Sequence, residues 1–161
     1  MKTRIAAAVL SVLILSVSAS SLPDFSLKKI DGSWYSVSEA LGKKVILIDF
    51  WATWCKPCKK LLKKLDELSQ DFGGELEILA ISTDESSSFA RIESFVKSRG
   101  YRFTVLHDPD SNVSGIFNPA GTIPFTMIID LDGKIVFTHT GYVPGFEKEL
   151  RERVIELTTR Q

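Results

Sequence analysis

The 161-residue sequence contains only two cysteines, Cys55 and Cys58, which stand three positions apart. An exported protein held together by several disulfides would spread its cysteines along the chain, so this composition argues against a disulfide framework. Histidine is equally scarce, with His107 and His139 the only two. A zinc site on the cysteine pair would need two further ligands, and neither histidine has ligand-like spacing. The cysteine pair is therefore better explained by chemistry than by metal binding.

The sequence also lacks an excess of positive charge, since Lys and Arg number 20 and Asp and Glu number 20. Proteins that bind nucleic acid normally carry a basic surplus, so we expect no nucleic-acid partner. Long apolar runs are missing too, apart from the segment Ile5–Val17. At about 13 residues that segment is shorter than the roughly 20 residues a membrane-spanning helix needs.

The early apolar segment has the pattern of a secretory signal. Lys2 and Arg4 precede it, and the small residues Ser18–Ser20 follow it. We predict a signal peptide over residues 1–20 and one mature domain over residues 21–161, located outside the cytoplasm in the periplasm or secreted. The alternative is an uncleaved segment that anchors the domain to the membrane.

Strand-like and helix-like patterns alternate through the mature chain. Asp31-Gly32 and Asp132-Gly133 predict one hairpin near each end. The predicted strands are Phe25–Ile30, Trp34–Val37, Val45–Trp51, Leu76–Thr83, Phe103–Leu106, Phe125–Asp130 and Ile135–Thr140, and helices are predicted to begin near Pro57, Ser87, Ser111 and Phe146. This order predicts an α/β fold, a central mixed sheet with helices on both faces.

The run WATWCKPC, from Trp51 to Cys58, lies where the most apolar predicted strand gives way to a helix. A helix N-terminus stabilises a thiolate through its free amide hydrogens and partial positive charge, and the thiolate is the reactive form. Cys58 follows Cys55 by one helical turn, so the two sulfurs can close a redox-active disulfide. We predict that Cys55 attacks a substrate disulfide and that Cys58 resolves the mixed disulfide. A purely structural disulfide is the alternative.

This run resembles the active-site segment of the thioredoxin superfamily, and its details are similar to the TlpA/ResA-like branch. The likeness covers about residues 23–158, including the N-terminal β-hairpin, an inserted helix and strand between Ser82 and Leu106, and the segment TIPFTMIIDLDGKIV. The resemblance implies a thioredoxin fold, extracytoplasmic thiol:disulfide exchange and no bound cofactor. It also implies a protein substrate with a disulfide or dithiol and a membrane electron carrier as redox partner. We expect a monomer.

Three further positions follow from the resemblance. Asp49 matches a buried acid that exchanges a proton with the inner thiol, and burial in VILIDFW should raise its pKa. The alternative is an acid at a strand end that reaches water or a backbone partner. Pro124 matches a cis-proline that faces the cysteine pair, and Ile123 before it matches a residue whose backbone pairs with substrate; an ordinary trans loop proline is the alternative. We also expect Trp54, which would flank the cysteines, to be partly exposed and to contact substrate.

Three functions remain open at this point. A reductant of protein disulfides, serving cytochrome c maturation as relatives do, is the leading hypothesis. An oxidant or isomerase of the same fold is the nearest rival, and the Lys56-Pro57 dipeptide does not decide between them. A copper-delivery protein is the third, with both thiols and His139 holding Cu(I), although such proteins usually space their cysteines by three residues. The nearby lysines are predicted mainly to form a solvated helix face: Lys59, Lys60, Lys63 and Lys64.

Overall fold

The computed structural model describes residues 21–159, so the predicted signal peptide lies outside the described residues. Seven strands are present in it: β1 (Ser26–Lys29), β2 (Trp34–Ser36), β3 (Val45–Trp51), β4 (Leu76–Ser82), β5 (Thr104–His107), β6 (Phe125–Ile129) and β7 (Ile135–Thr140). Four helices accompany them: α1 (Lys56–Phe72), α2 (Phe89–Arg99), α3 (Ser114–Phe117) and α4 (Phe146–Thr158). None of the helices within residues 21–159 has the length and apolar character needed to cross a bilayer.

The strands form one sheet in the order β2-β1-β5-β4-β3-β6-β7. β3, β4 and β5 are parallel to one another, whereas β1 and β6 pair antiparallel with this central group. Both predicted hairpins are present, and their turns place Gly32 and Gly133 at φ 86° and 76°, a backbone region that glycine enters without steric cost. The sheet is therefore mixed, as the sequence predicted.

The central strand β3 is buried along its whole length. Successive side chains of a strand face opposite sides of the sheet, so β3 contributes to two separate cores. Val45, Leu47 and Trp51 belong to the core beneath α1, α2 and α4, and the other core lies beneath α3 and the turn at residues 37–39. Four leucines of α1 are buried in the first core, each stabilising the fold by roughly 1.5–3 kcal/mol. The helix that begins after Cys55 and contains Cys58 is thus packed firmly against the sheet.

The parallel strands bring three loops to one edge of the sheet. Trp51, at the end of β3, pairs with Ser82 of β4, which in turn pairs with His107 of β5. Ligand and active sites of open α/β sheets form at the carboxyl ends of parallel strands. The loops that leave these three strands therefore define where a functional site is expected.

Several element boundaries shift by one to three residues from the predicted ones, among them the end of β5 and the start of α3. β5 ends one residue later than predicted, at His107, because His107 pairs with Lys28 of β1 on one side and with Ser82 of β4 on the other. α3 begins at Ser114 rather than Ser111, whose positive φ of 55° lies outside the right-handed helical region. The carboxylate of Asp108 accepts amide hydrogens in this turn instead, at 2.8 Å from the nitrogen of Ser114.

Candidate active site

The two cysteines lie at the junction between β3 and α1, where they form a disulfide with a Cα–Cα distance of 5.3 Å. Cys55 occupies the N-cap of α1, and its Sγ accepts a hydrogen bond from the amide of Cys58 at 3.2 Å. Cys55 retains 4% of its surface and Cys58 none. Cys55 is therefore the more exposed member of the pair.

The local sequence explains why the helix begins at this point. Cys55 has extended backbone angles, and Pro57, which has no amide hydrogen to leave unpaired, stands in the first turn of α1. The free amides and partial positive charge of this helix end favour a thiolate at Cys55. Trp54, directly before it, is 68% exposed, so an indole lies on the surface beside the outer cysteine. Its predicted contact with substrate stays a prediction.

Asp49 is completely buried near the end of β3, on the same side of the strand as Trp51 and hence in the layer that contains Cys58. Burial raises the pKa of its carboxyl from 3.8 to about 8, although a hydrogen bond from Thr126 opposes the shift. That bond joins Thr126 Oγ1 to Asp49 Oδ1 at 2.8 Å, and Oδ2 has no partner among the described residues. The carboxyl reaches neither water nor a backbone donor, so the alternative of a solvated strand-end acid has no support.

Pro124 is buried, and the Ile123-Pro124 peptide bond is cis, as the resemblance implied. β6 begins at the next residue, and its Phe125 pairs antiparallel with Phe50. One step further along each strand, Pro124 comes opposite Trp51, at the start of the loop that contains the cysteines. Ile123 is partly buried against both cores, and its proposed contact with a substrate backbone stays a prediction.

Sequence reasoning missed a buried carboxylate that holds the cysteine loop. Asp84, 3% exposed at the end of β4, accepts the Thr53 amide at 2.7 Å and the Thr53 hydroxyl at 2.6 Å. It also accepts the hydroxyl of Ser82 at 2.8 Å. Thr53 stands two residues before Cys55, so Asp84 fixes the loop from the neighbouring strand. The only sequence signal was a polar residue directly after a buried strand, which is too common to be diagnostic.

Neither histidine lies in a metal-binding arrangement. The His139 ring stacks on Phe146 with centroids 4.1 Å apart, and His107 contacts the backbone of Asp84. Within residues 21–159 no three side chains among His, Cys, Asp and Glu are grouped closely enough to hold a metal ion. The geometry therefore offers no observation in favour of the copper-delivery alternative.

A disulfide at a helix N-terminus, a cis-proline opposite it and a mixed sheet with helices on both faces define a thioredoxin-fold protein with a CxxC centre. The AhpC/TSA family matches residues 19–138. The chain therefore belongs to that family and groups with its thiol-disulfide oxidoreductases, as the individual relatives below indicate.

Two relatives come from Bacillus subtilis (strain 168). The thioredoxin-like protein YneN is 34% identical over 128 residues, which cover 79% of this chain and 74% of YneN. The thiol-disulfide oxidoreductase ResA is 34% identical over 123 residues, which cover 76% of this chain and 66% of ResA. Among solved structures, the exposed lipoprotein thioredoxin Etrx1 of Streptococcus pneumoniae strain TIGR4 superposes with a TM-score of 0.70 at 27% identity, covering 84% of this chain and 100% of Etrx1.

Proposed function

We propose that this protein is an extracytoplasmic thiol:disulfide oxidoreductase that reduces disulfides in other proteins through Cys55 and Cys58. The observation that carries the proposal is the placement of Cys55 at the N-cap of α1, with Cys58 fully buried one turn further on. A nucleophile needs to be accessible and stabilised as an anion, whereas the resolving thiol needs to be protected until the mixed disulfide forms. Cys55 meets the requirements of the nucleophile, and Cys58 meets those of the resolving thiol.

The proposed reaction begins with the reduced dithiol. The Cys55 thiolate attacks one sulfur of the substrate disulfide, so a mixed disulfide forms and one substrate thiolate leaves. Cys58 then loses its proton and attacks the sulfur of Cys55, which closes the internal disulfide and releases the second substrate thiolate. The substrate gains two electrons and the dithiol loses two.

Asp49 is proposed to accept the proton of Cys58. A pKa of about 8 lies close to the value of about 8.5 for an ordinary thiol, so proton exchange between the two groups costs little in either direction. The partnerless Oδ2 atom in the same buried layer supports this role.

We place this activity outside the cytoplasm, with residues 1–20 as a signal peptide or an anchor and residues 21–161 as the working domain. The relative Etrx1 is an exposed lipoprotein, which supports such a location. The protein is proposed to act as a monomer, in cytochrome c maturation, and to be recharged by a membrane electron carrier. No cofactor is part of the proposal.

Replacement of each cysteine tests the assigned roles. Cys55→Ala is expected to abolish reduction of insulin, whereas Cys58→Ala should accumulate a mixed disulfide through Cys55 that mass spectrometry detects. If both variants lose the same amount of insulin reduction and neither accumulates a mixed disulfide, the proposed order of attack is contradicted. The substrate trapped by Cys58→Ala in the native host tests the link to cytochrome c maturation.

The reduction potential of the Cys55–Cys58 couple tests the direction of electron flow. Potentials of related dithiols run from about −270 mV for reductants to about −120 mV for strong oxidants. We expect a value in the lower half of that range, measured by equilibration with glutathione. A value near the upper limit would assign the protein to the oxidants instead.

A further inference from the structure

A basic groove of about 430 Å³ lies between α1 and the C-terminal end of α2. Its cations come from Lys59, Lys60 and Lys63 of α1 and from Arg99 of α2. Two aromatic side chains, Phe95 and Tyr101, form its apolar wall, and Asp66 is the one acidic side chain among the described residues that line it. We call this surface the basic groove.

The cations of the basic groove make no ion pair among residues 21–159, although other lysines on the same helices do. Lys64 pairs with Glu67 at 2.8 Å, and Lys97 pairs with Glu93 at 2.7 Å. The positive charge of the groove is therefore available to another molecule.

Asp66 does not neutralise the groove, because its carboxylate is already bound. It accepts the backbone amide of Arg102 at 2.9 Å and its guanidinium at 3.0 Å. Partial burial would raise the pKa of Asp66, but the bonds from Arg102 outweigh it and lower the pKa. Within residues 21–159 the four cations of the groove therefore have no carboxylate partner; three of them are exposed, and Lys59 is partly exposed.

The aromatic wall of the groove is fixed in place. The Phe95 ring lies 5.5 Å from Trp51 and 6.2 Å from Tyr101, measured between centroids. Lys59 and Arg99 lie over the same ring at 5.2 and 5.5 Å, so cation-π attraction holds two of the four charges at the rim. No such contact is present for Lys60 or Lys63 within the described chain, and both side chains are exposed.

The groove is close to the cysteine pair. Lys59 follows Cys55 by four residues and Lys63 by eight, which on an α-helix correspond to about 6 and 12 Å along the axis. A polypeptide of three or four extended residues spans such a distance. A partner whose cysteine reacts at Cys55 therefore has neighbouring residues within reach of the groove.

We propose that the basic groove docks an acidic segment of the partner polypeptide, with carboxylates against Lys60, Lys63 and Arg99 and an apolar side chain against Phe95 and Tyr101. The concave shape and the aromatic wall favour a polypeptide over an anionic membrane, which would meet a flat or convex surface. This inference rests on the proposed function, because it assigns a preference for acidic sequence to the same exchange reaction. Electrostatic complementarity of this kind selects partners and speeds association.

Two synthetic peptides, each closed into a ring by one disulfide, test the preference. One has Glu-Phe-Glu beside the reacting cysteine and the other has Lys-Phe-Lys, and they are otherwise identical. We expect kcat/KM for the Glu peptide to exceed that for the Lys peptide by about tenfold at low salt, as two or three exposed ion pairs allow. The difference should shrink towards unity near 1 M salt, where the Debye length is only about 3 Å.

The double variant Lys63→Gln, Arg99→Gln should lose most of this preference. The matched control, Lys64→Gln with Lys97→Gln, removes the same charge from the same two helices, but at cations that already have partners. It should keep the preference. Reduction of a neutral small disulfide, bis(2-hydroxyethyl) disulfide, should be unchanged in both double variants, which shows that the cysteines still react.

A binding measurement separates the two proposals. Glu and Lys peptides with serine in place of cysteine are titrated against the wild-type protein, without any chemistry. Preferential binding of the Glu peptide by a protein that reduces no disulfide would retain the groove and overturn the proposed function. Equal binding and equal rates for both peptides would overturn the groove, as would binding to phosphatidylglycerol vesicles without any peptide preference.

Discussion

Asp49 is a fully buried carboxyl whose protonation differs from that of an ordinary aspartate. A carboxyl in water ionises near pH 3.8, but full burial raises the pKa of Asp49 to about 8. The Thr126 hydroxyl stabilises the anion and so acts in the opposite direction. Near neutral pH the carboxyl is mostly protonated, with a fraction ionised and able to accept a proton.

We expect Asp49→Asn to slow disulfide reduction at pH 7 by at least about tenfold, because an amide cannot exchange a proton with Cys58. The loss should appear in kcat, with the pH dependence near pH 8 removed. The measurement is the pH profile of insulin reduction between pH 6 and 9. Thr126→Val is the companion variant: without its hydroxyl the pKa of Asp49 rises further, so the inflection should move to higher pH. An Asp49→Asn profile that overlays the wild type would assign the residue a structural role.

At the scale of secondary structure, the site depends on how the end of β4 holds the connection from β3 to α1. Asp84 takes both the amide and the hydroxyl of Thr53, and each of these bonds is 2.7 Å or shorter. Its own backbone oxygen lies 2.8 Å from His107 Nε2, so β5 is tied to the same point. Three parallel strands thereby position one loop.

Asp84→Ala is expected to destabilise the fold by about 1–3 kcal/mol, because buried donors on Thr53 and Ser82 lose their acceptor. It should also lower kcat/KM for disulfide reduction, since the loop before Cys55 is no longer held. Urea unfolding and insulin reduction measure the two effects. Val154→Ala, a core substitution in α4 that touches none of the bonds to Asp84, is the control for stability alone. If Val154→Ala loses as much stability as Asp84→Ala and also lowers kcat/KM by the same factor, Asp84 has no positioning role.

Elements with strong local patterns were predictable from the sequence. The predicted strand Val45–Trp51 is confirmed. In α1 the buried leucines Leu61, Leu65 and Leu68 follow one another at spacings of four and three residues, the period of one helical face. In α4, however, Leu157 lies on the apolar face with Phe146, Leu150 and Val154 but is only partly buried. Thr158 is buried instead, with its hydroxyl bonded to the Val154 oxygen at 2.9 Å. Periodicity identifies the inward face of a helix but not how its last turn ends.

At the scale of the whole molecule, the parts of the site come from distant stretches of chain. The cysteines were evident from their spacing, and Asp49 from its place in an apolar run. Pro124 stands 66 positions after Cys58, and only the resemblance to a family connected them. The Asp84 bonds to Thr53 span 31 positions, and the basic groove joins two helices, so no local pattern indicated either contact.

The raised pKa of Asp49 also has a consequence for the stability of the whole fold. The folded state binds the Asp49 proton more tightly than the unfolded state, whose carboxyl has an ordinary pKa near 3.8. The stability that this group contributes is therefore fully present below about pH 3.8 and is lost as the pH rises towards about 8. One proton of difference corresponds to a slope of at most about 1.4 kcal/mol per pH unit.

Asp49→Asn should remove this slope. Between pH 5 and pH 8 the free energy of unfolding of the wild type should fall relative to that of the variant by about 2–4 kcal/mol. The upper value is the maximal slope multiplied by three pH units, and the lower value applies if the folded protein relaxes around the charged carboxyl. Urea unfolding of the oxidised proteins at several pH values measures it, and other titrating groups cancel because both proteins contain them. Parallel curves for wild type and Asp49→Asn would mean that the carboxyl ionises alike in the folded and unfolded chains, and its assignment as a proton acceptor poised near neutral pH would then be untenable.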